Sequence, residues 1–143
     1  MFKSKENKAE DDLLLQQIKA HLPVLKSEPY LTPASSLLLK QIAFDMPQGI
    51  TATAPGFYAP QGRQVRAKLS VSNLIEKLSS FETKNQRITN LEMETAGIYA
   101  LASALGHQAL SVNAILAHRL KLQFAPEPDK IVEKMIKVVL ERV

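Results

Sequence analysis

Cysteine is absent from this 143-residue chain, and so is tryptophan. Without thiols there can be no disulfides and no thiolate metal sites, a usage that fits a reducing cytoplasm. Glycine is scarce: five residues, none of them clustered, so no glycine-rich loop of the kind that cradles a phosphate can be found. No apolar run approaches the roughly 18 residues of a membrane-spanning helix. The opening MFKSKENKAEDD is charged and has no apolar centre, so it does not read as a secretory leader. A strong excess of one charge is missing as well. The formal net charge is +4, and the lysines and arginines are scattered without interleaved aromatics, which argues against nucleic-acid binding. His21, His107 and His118 lack metal-ligand spacing, so no metal site is expected.

What is present is ordinary globular composition, 45% apolar and 22% charged, in a chain long enough for one core. Residues 1–9 are polar and read as a frayed start. Asp11 and Asp12 open a helix over about residues 11–22, with Leu14, Ile18 and Leu22 on one face and Pro23 after its end. Thr32 before Pro33 signals a second helix start, running through Leu37, Leu38 and Leu39 to about Phe44. A Gln48-Gly49 turn leads into a strand over residues 50–54, broken by Pro55-Gly56. Ser72 is a candidate cap for a helix carrying Leu74, Ile75, Leu78 and Phe81. Residues 88–93 read as a second strand. A helix of small residues comes next over about 95–105, suited by its alanines and Gly97 to lie close against a sheet, with Gly106 at its end. Residues 109–117 read as a third strand, apolar enough for burial on both faces. A last helix after Pro128 places Ile131, Met135, Val138 and Val139 on a core-facing stripe. Strands alternating with helices predict an α/β fold with a mixed or largely parallel sheet flanked by helices.

Two stretches carry candidate chemistry. GFYAPQGR, residues 56–63, puts the ring of Phe57, the amide of Gln61 and the guanidinium of Arg63 in one loop just past a strand. A pyrimidine edge presents acceptors and an N–H in the pattern that an amide and an arginine fork can read, and an aromatic ring can pack on its face. Ligands in α/β folds gather at such loops. A solvated, turn-rich loop would have the same composition. NLEMETAG, residues 90–97, sets Glu92 and Glu94 around Met93 at the end of the second strand. A carboxylate there can accept from two vicinal sugar hydroxyls, with methionine as an adaptable apolar platform. The same residues would also serve as helix-start caps. Arg119 closes NAILAHR and is placed either in the same cleft or on the surface. His118, His107, Tyr58 and Tyr99 read as packing or turn residues.

Taken in order, GITATAPGFYAPQGRQVR, RITNLEMETAGIYALASALGH and ALSVNAILAHR resemble the nucleoside phosphorylase family, most closely its uridine phosphorylase branch. The likeness covers residues 32–143 well, as the C-terminal half of such a domain, and residues 1–31 loosely. It implies a partial nucleoside phosphorylase-like fold and a pentosyltransferase that splits a pyrimidine nucleoside with phosphate. It also implies that Gln61 and Arg63 hold the uracil edge as the catalytic pair and that Phe57 packs on the base. Arg119 would lie near the base. Glu94 would bind ribose hydroxyls with Met93 beneath the sugar and Glu92 beside them. No cofactor is implied beyond inorganic phosphate as co-substrate. The implied partners are the nucleoside, phosphate and further copies in a homo-oligomer, with neither nucleic acid nor membrane.

Two departures stand out. Purine-cleaving relatives carry an aspartate near the positions of Ala117 and His118, whereas residues 113–119 hold no acid, which favours a pyrimidine. The phosphate-binding segment of the family's N-terminal half has no counterpart here. Met1 is therefore readable as a true start or as the start of a fragment. Rival readings are a non-catalytic nucleobase-binding or assembly domain and a purine nucleosidase-like hydrolase.

Overall fold

The computed structural model describes residues 5–23, 28–69, 71–83 and 86–143, with side chains from residue 8 onward. Helix α1 spans Lys5–His21. It starts earlier than the aspartate pair suggests, because lysine, glutamate and alanine before Asp11 are good helix formers. Its apolar face is as expected: Ile18 and Leu22 are buried, and Leu14 packs against the same cluster.

Helix α2 spans Ser36–Ile42, and its cap is Ser35 rather than Thr32. The Ser35 hydroxyl accepts from the Leu38 N–H at 3.2 Å and donates to the Gln108 side chain, while its backbone N–H donates to the Ala109 carbonyl at 2.9 Å. Bonds to a segment more than seventy residues away in sequence thus pin the helix start, something local cap preference cannot report.

Strand β1 (Ile50–Thr53) pairs in parallel with β2 (Ile88–Glu92), with Thr53 opposite Glu92 and a register irregularity between Ile50 and Thr51. Between them lies α3, Leu74–Ser79. Its cap is Asn73, in the left-handed region at φ 55°, and not Ser72; asparagine tolerates that conformation better than serine. Leu74, Leu78 and Phe81 join Ile18 and Leu22 in the core, against which Ile50, Ala52, Ile88 and Leu91 of the strands pack. The core therefore lies between α1, α3 and the β1–β2 sheet.

Helix α4 spans Thr95–Ala104 and ends as the sequence indicates. Gly106 has φ 76°, its N–H reaches the Ser103 carbonyl at 3.2 Å, and the His107 N–H reaches Ala102 at 2.8 Å. That is a Schellman closure, which suits glycine. Gly97, however, faces open space, so it does not provide close contact with the sheet. On the outer surface of α4, Ile98, Leu101 and Leu105 are 57%, 61% and 62% exposed.

The expected third strand over 109–117 does not form. Residues 107–116 carry no regular structure, and Ile115 is exposed. A strand exists by pairing, and no described strand lies alongside this apolar run. After it the chain forms a short antiparallel pair, β3 (Ala117–His118) with β4 (Gln123–Phe124). Helix α5 spans Pro128–Leu140, but none of its residues is buried. The Met135 stripe is therefore not core: Met135, Val138 and Val139 are half-buried and Ile131 is exposed. The amphipathic pattern is real, but the stripe is covered only in part. The helix end is tied instead by Arg142, which donates two bonds to Asp45 at 2.6 and 2.9 Å and one to the Ile42 carbonyl at 2.7 Å.

Candidate functional site

Because β1 and β2 run parallel and adjacent, the loops at their carboxyl ends leave from the same end of the sheet. Residues 54–63 extend from β1, and the Ala54 N–H still donates to the Glu92 carbonyl at 2.8 Å. Residues 93–94 extend from β2. The two candidate motifs, about thirty residues apart in sequence, are therefore neighbours at the carboxyl ends of the strands, where open α/β sheets place ligands.

The first loop is built around Arg63. Pro60 opens a single 3₁₀ turn, Ala59–Gln61, and Gly62 at φ 71° turns the chain back. A side chain at position 62 would strain that conformation. The turn brings Arg63 over Phe57, with its guanidinium carbon 3.9 Å from the ring centroid. Arg63 Nη1 donates to the Phe57 carbonyl at 2.7 Å and to Gln61 Oε1. Gln61 is 5% exposed, whereas Phe57 is 50% exposed and meets Tyr58 edge-on. Arg119 Nη1 donates to the Gln61 backbone carbonyl at 2.7 Å, fixing the turn from the far end of the chain. Burial, with the nearby Arg63 charge, pulls the Arg119 guanidinium below its ordinary value. The four residues Phe57, Gln61, Arg63 and Arg119 thus form one connected group.

The second loop is built around Glu92. One of its oxygens accepts from the Thr53 hydroxyl. The other accepts from the Glu94 N–H at 2.8 Å, the Thr95 N–H at 2.7 Å and the Thr95 hydroxyl at 2.9 Å. Burial pushes the carboxyl up, but the bonds from Thr53, Glu94 and Thr95 outweigh it and hold Glu92 below the usual glutamate range. Glu94 is exposed and makes one short-range contact, accepting from the Met93 N–H at 3.1 Å. Met93 is also exposed. Glu92, Glu94, Thr95, Tyr99, Ser111 and Asn113 line a cleft of about 230 Å³. Its back wall is itself bonded: the Ser111 N–H donates to the Tyr99 hydroxyl at 2.7 Å, and Asn113 Nδ2 donates to Ser111 Oγ at 3.0 Å.

The structure therefore brings Phe57, Gln61, Arg63 and Arg119 together, and separately arranges Glu92, Met93 and Glu94 at the head of α4. Two residues of the second group have no signal of their own in the sequence. Thr53 is an ordinary strand residue until the parallel register sets it opposite Glu92. Ser111 lies in a run whose composition suits a buried strand. A threonine directly after the acidic pair was the available sign that Glu92 could cap the helix. Among the described residues no cluster of three or more metal-ligating side chains occurs, and no helix is long and apolar enough to cross a membrane.

A half-buried parallel sheet with polar loops at its carboxyl edge makes this an α/β unit whose candidate site lies where such sheets place ligands. Comparison gives the particular family: the Phosphorylase superfamily model matches residues 5–142, and the chain belongs to that family. It is 33% identical over 100 residues to a uridine phosphorylase of Thermococcus kodakarensis, covering 65% of this chain and 34% of that protein. It also superposes on a crystal structure of Trypanosoma brucei nucleoside phosphorylase, which shows uridine phosphorylase activity. There the TM-score is 0.74 at 26% identity, over 99% of this chain and 50% of the other. The chain thus spans between a third and a half of the length of these relatives.

Proposed function

We propose that this chain supplies the base- and ribose-binding half of a nucleoside phosphorylase site, with a pyrimidine nucleoside as its substrate. The observation that carries the reading is the Phe57–Gln61–Arg63–Arg119 group standing beside the Glu94 loop at one end of the sheet. Gln61 Oε1 accepts from Arg63 and keeps a lone pair for the N3–H of uracil, while its amide N–H donates to a ring carbonyl. Arg63 spends Nη1 on the loop, and the rest of its fork makes no bond among the described residues, so it can reach a second carbonyl. The exposed face of Phe57 packs on the base. Glu94 accepts from the sugar diol, with Met93 under the ring.

In phosphorolysis a phosphate oxygen attacks C1′ as the bond to the base breaks. The departing uracil gathers negative charge, and Arg63 with Gln61 meets it. Such contacts accelerate the reaction only in so far as they strengthen in the transition state. Inorganic phosphate is the co-substrate, with no further cofactor. The reading places the chain in cytoplasmic pyrimidine salvage, in a homo-oligomer. Because no phosphate-cradling segment is recognised within residues 1–143, phosphate ligands would come from another polypeptide segment.

The test is calorimetric titration of the chain with uridine, uracil and inosine, and then a phosphorolysis assay with uridine and phosphate. Uridine binding well ahead of inosine is the expected result. No pyrimidine binding, or tighter inosine binding, would remove the proposal. Pyrimidine binding without uracil release assigns the chain alone to nucleobase recognition rather than catalysis.

A further inference from the structure

We propose that Thr53 and Glu92 form a positioning strut that caps α4 from outside the helix and so spares the Glu94 carboxylate from capping, leaving it available to a sugar diol. The role of Glu94 rests on the function proposed above; the capping does not. A helix start leaves backbone N–H groups without partners. The usual remedy is the N-cap side chain, which folds back to accept from the second or third amide. At α4 the N-cap residue is Glu94, and it makes no such bond. The Thr95 N–H goes instead to Glu92 at 2.7 Å, and the Ala96 N–H goes to the Thr53 hydroxyl at 3.0 Å. Having accepted there, the Thr53 hydroxyl donates its own hydrogen bond to the other oxygen of Glu92.

This relay needs a hydroxyl at position 53, because only a group that both accepts and donates can join an amide to a carboxylate. The β-ladder fixes its geometry, since Thr53 and Glu92 are register partners. The positive end of α4 favours the Glu92 charge, and the oxygen that takes the Thr95 N–H also accepts from the Glu94 N–H and the Thr95 hydroxyl. Glu92 thereby accepts four hydrogen bonds from the protein, which makes it a positioning residue rather than the sugar ligand. The strut also ties β1, whose loop carries Phe57 and Arg63, to the residue that would hold the sugar.

The test compares Thr53→Val, Thr53→Ser and Glu92→Gln with the unaltered full chain. Amide hydrogen exchange is followed at Thr95 and Ala96 by NMR, and uridine and uracil are titrated by calorimetry. Thr53→Val should speed Ala96 exchange and weaken uridine binding, each by about five- to tenfold, while uracil binding holds. Thr53→Ser, which restores the hydroxyl, should return both readouts to near the unaltered values. Unchanged Ala96 exchange in Thr53→Val overturns the strut. Equal loss of uridine and uracil overturns the positioning of Glu94. If Thr53→Val does not fold, Glu92→Gln decides: faster Thr95 exchange supports the strut and unchanged exchange overturns it. If the unaltered chain binds neither ligand, the pyrimidine reading falls while Ala96 exchange still decides the strut.

Discussion

Replacing Arg63 by alanine probes the site at its most connected point. The Arg63 side chain donates to Gln61 Oε1 and the Phe57 carbonyl and lies over the Phe57 ring. On the proposed reading its removal deletes one charge-assisted hydrogen bond to the base, about 1.5–3 kcal/mol. It also releases Gln61, whose carboxamide is aimed by that same guanidinium. The direct loss alone corresponds to roughly a ten- to hundredfold weaker uracil complex. The stacking of Arg63 on half-exposed Phe57 adds only about 0.5–1 kcal/mol to the fold, so the variant should stay folded. The assay is isothermal titration with uracil, paired with thermal melts of both proteins. Arg63→Lys separates charge from shape: it keeps the cation but loses the planar fork, and should recover only part of the affinity. Uracil affinity within twofold of the unaltered chain, at an unchanged melting temperature, would remove Arg63 from the site. In a complete phosphorylase the same change should cost kcat/KM for uridine by a similar factor.

Glu94→Gln should weaken uridine by about tenfold, the difference between a charged and a neutral acceptor, and leave uracil unaffected in the same titrations. Equal loss for both ligands would contradict the sugar role. Phe81→Ala empties a position that is 3% exposed at the centre of the core and should cost about 3–5 kcal/mol, read as a lower urea midpoint. Asp45→Asn should loosen the end of α5, seen as faster amide exchange around Leu140, with high salt reproducing part of the effect in the unaltered chain. The Arg142 hydrogen bonds hold the Asp45 carboxyl below its ordinary value. The tether is therefore fully present above the unfolded aspartate pKa, near 3.9, and is lost as pH falls through the lower folded value. Loosening already complete at pH 5 would contradict that sign.

Local pattern was enough wherever one element decided its own form. The i, i+4, i+8 spacing of Leu14, Ile18 and Leu22 located the buried face of α1, and Gly106 located the end of α4. β1 was legible between its turn and its Pro55-Gly56 break, and β2 as a short apolar-led run over 88–93. Caps were less so: Ser35 and Asn73 displaced Thr32 and Ser72 because a bond to Gln108 and a left-handed backbone settled them. The run at 109–117 and the α5 stripe failed for a shared reason. Their apolar patterns call for neighbours, and a pattern does not reveal whether the neighbour is within the chain.

For the site, residue type alone nominated Phe57, Gln61, Arg63, Arg119, Met93 and the two glutamates. Sequence also set the family, since the three ordered segments recur as a unit. Residue type and position did not tell the two glutamates apart, because both stand beside the same methionine, and only the family resemblance gave Glu94 the sugar. The tertiary structure supplied a physical difference, by laying Thr53 opposite Glu92 across a parallel ladder. A hydrogen bond between residues 39 apart depends on register, and register is a property of the paired strands rather than of either one.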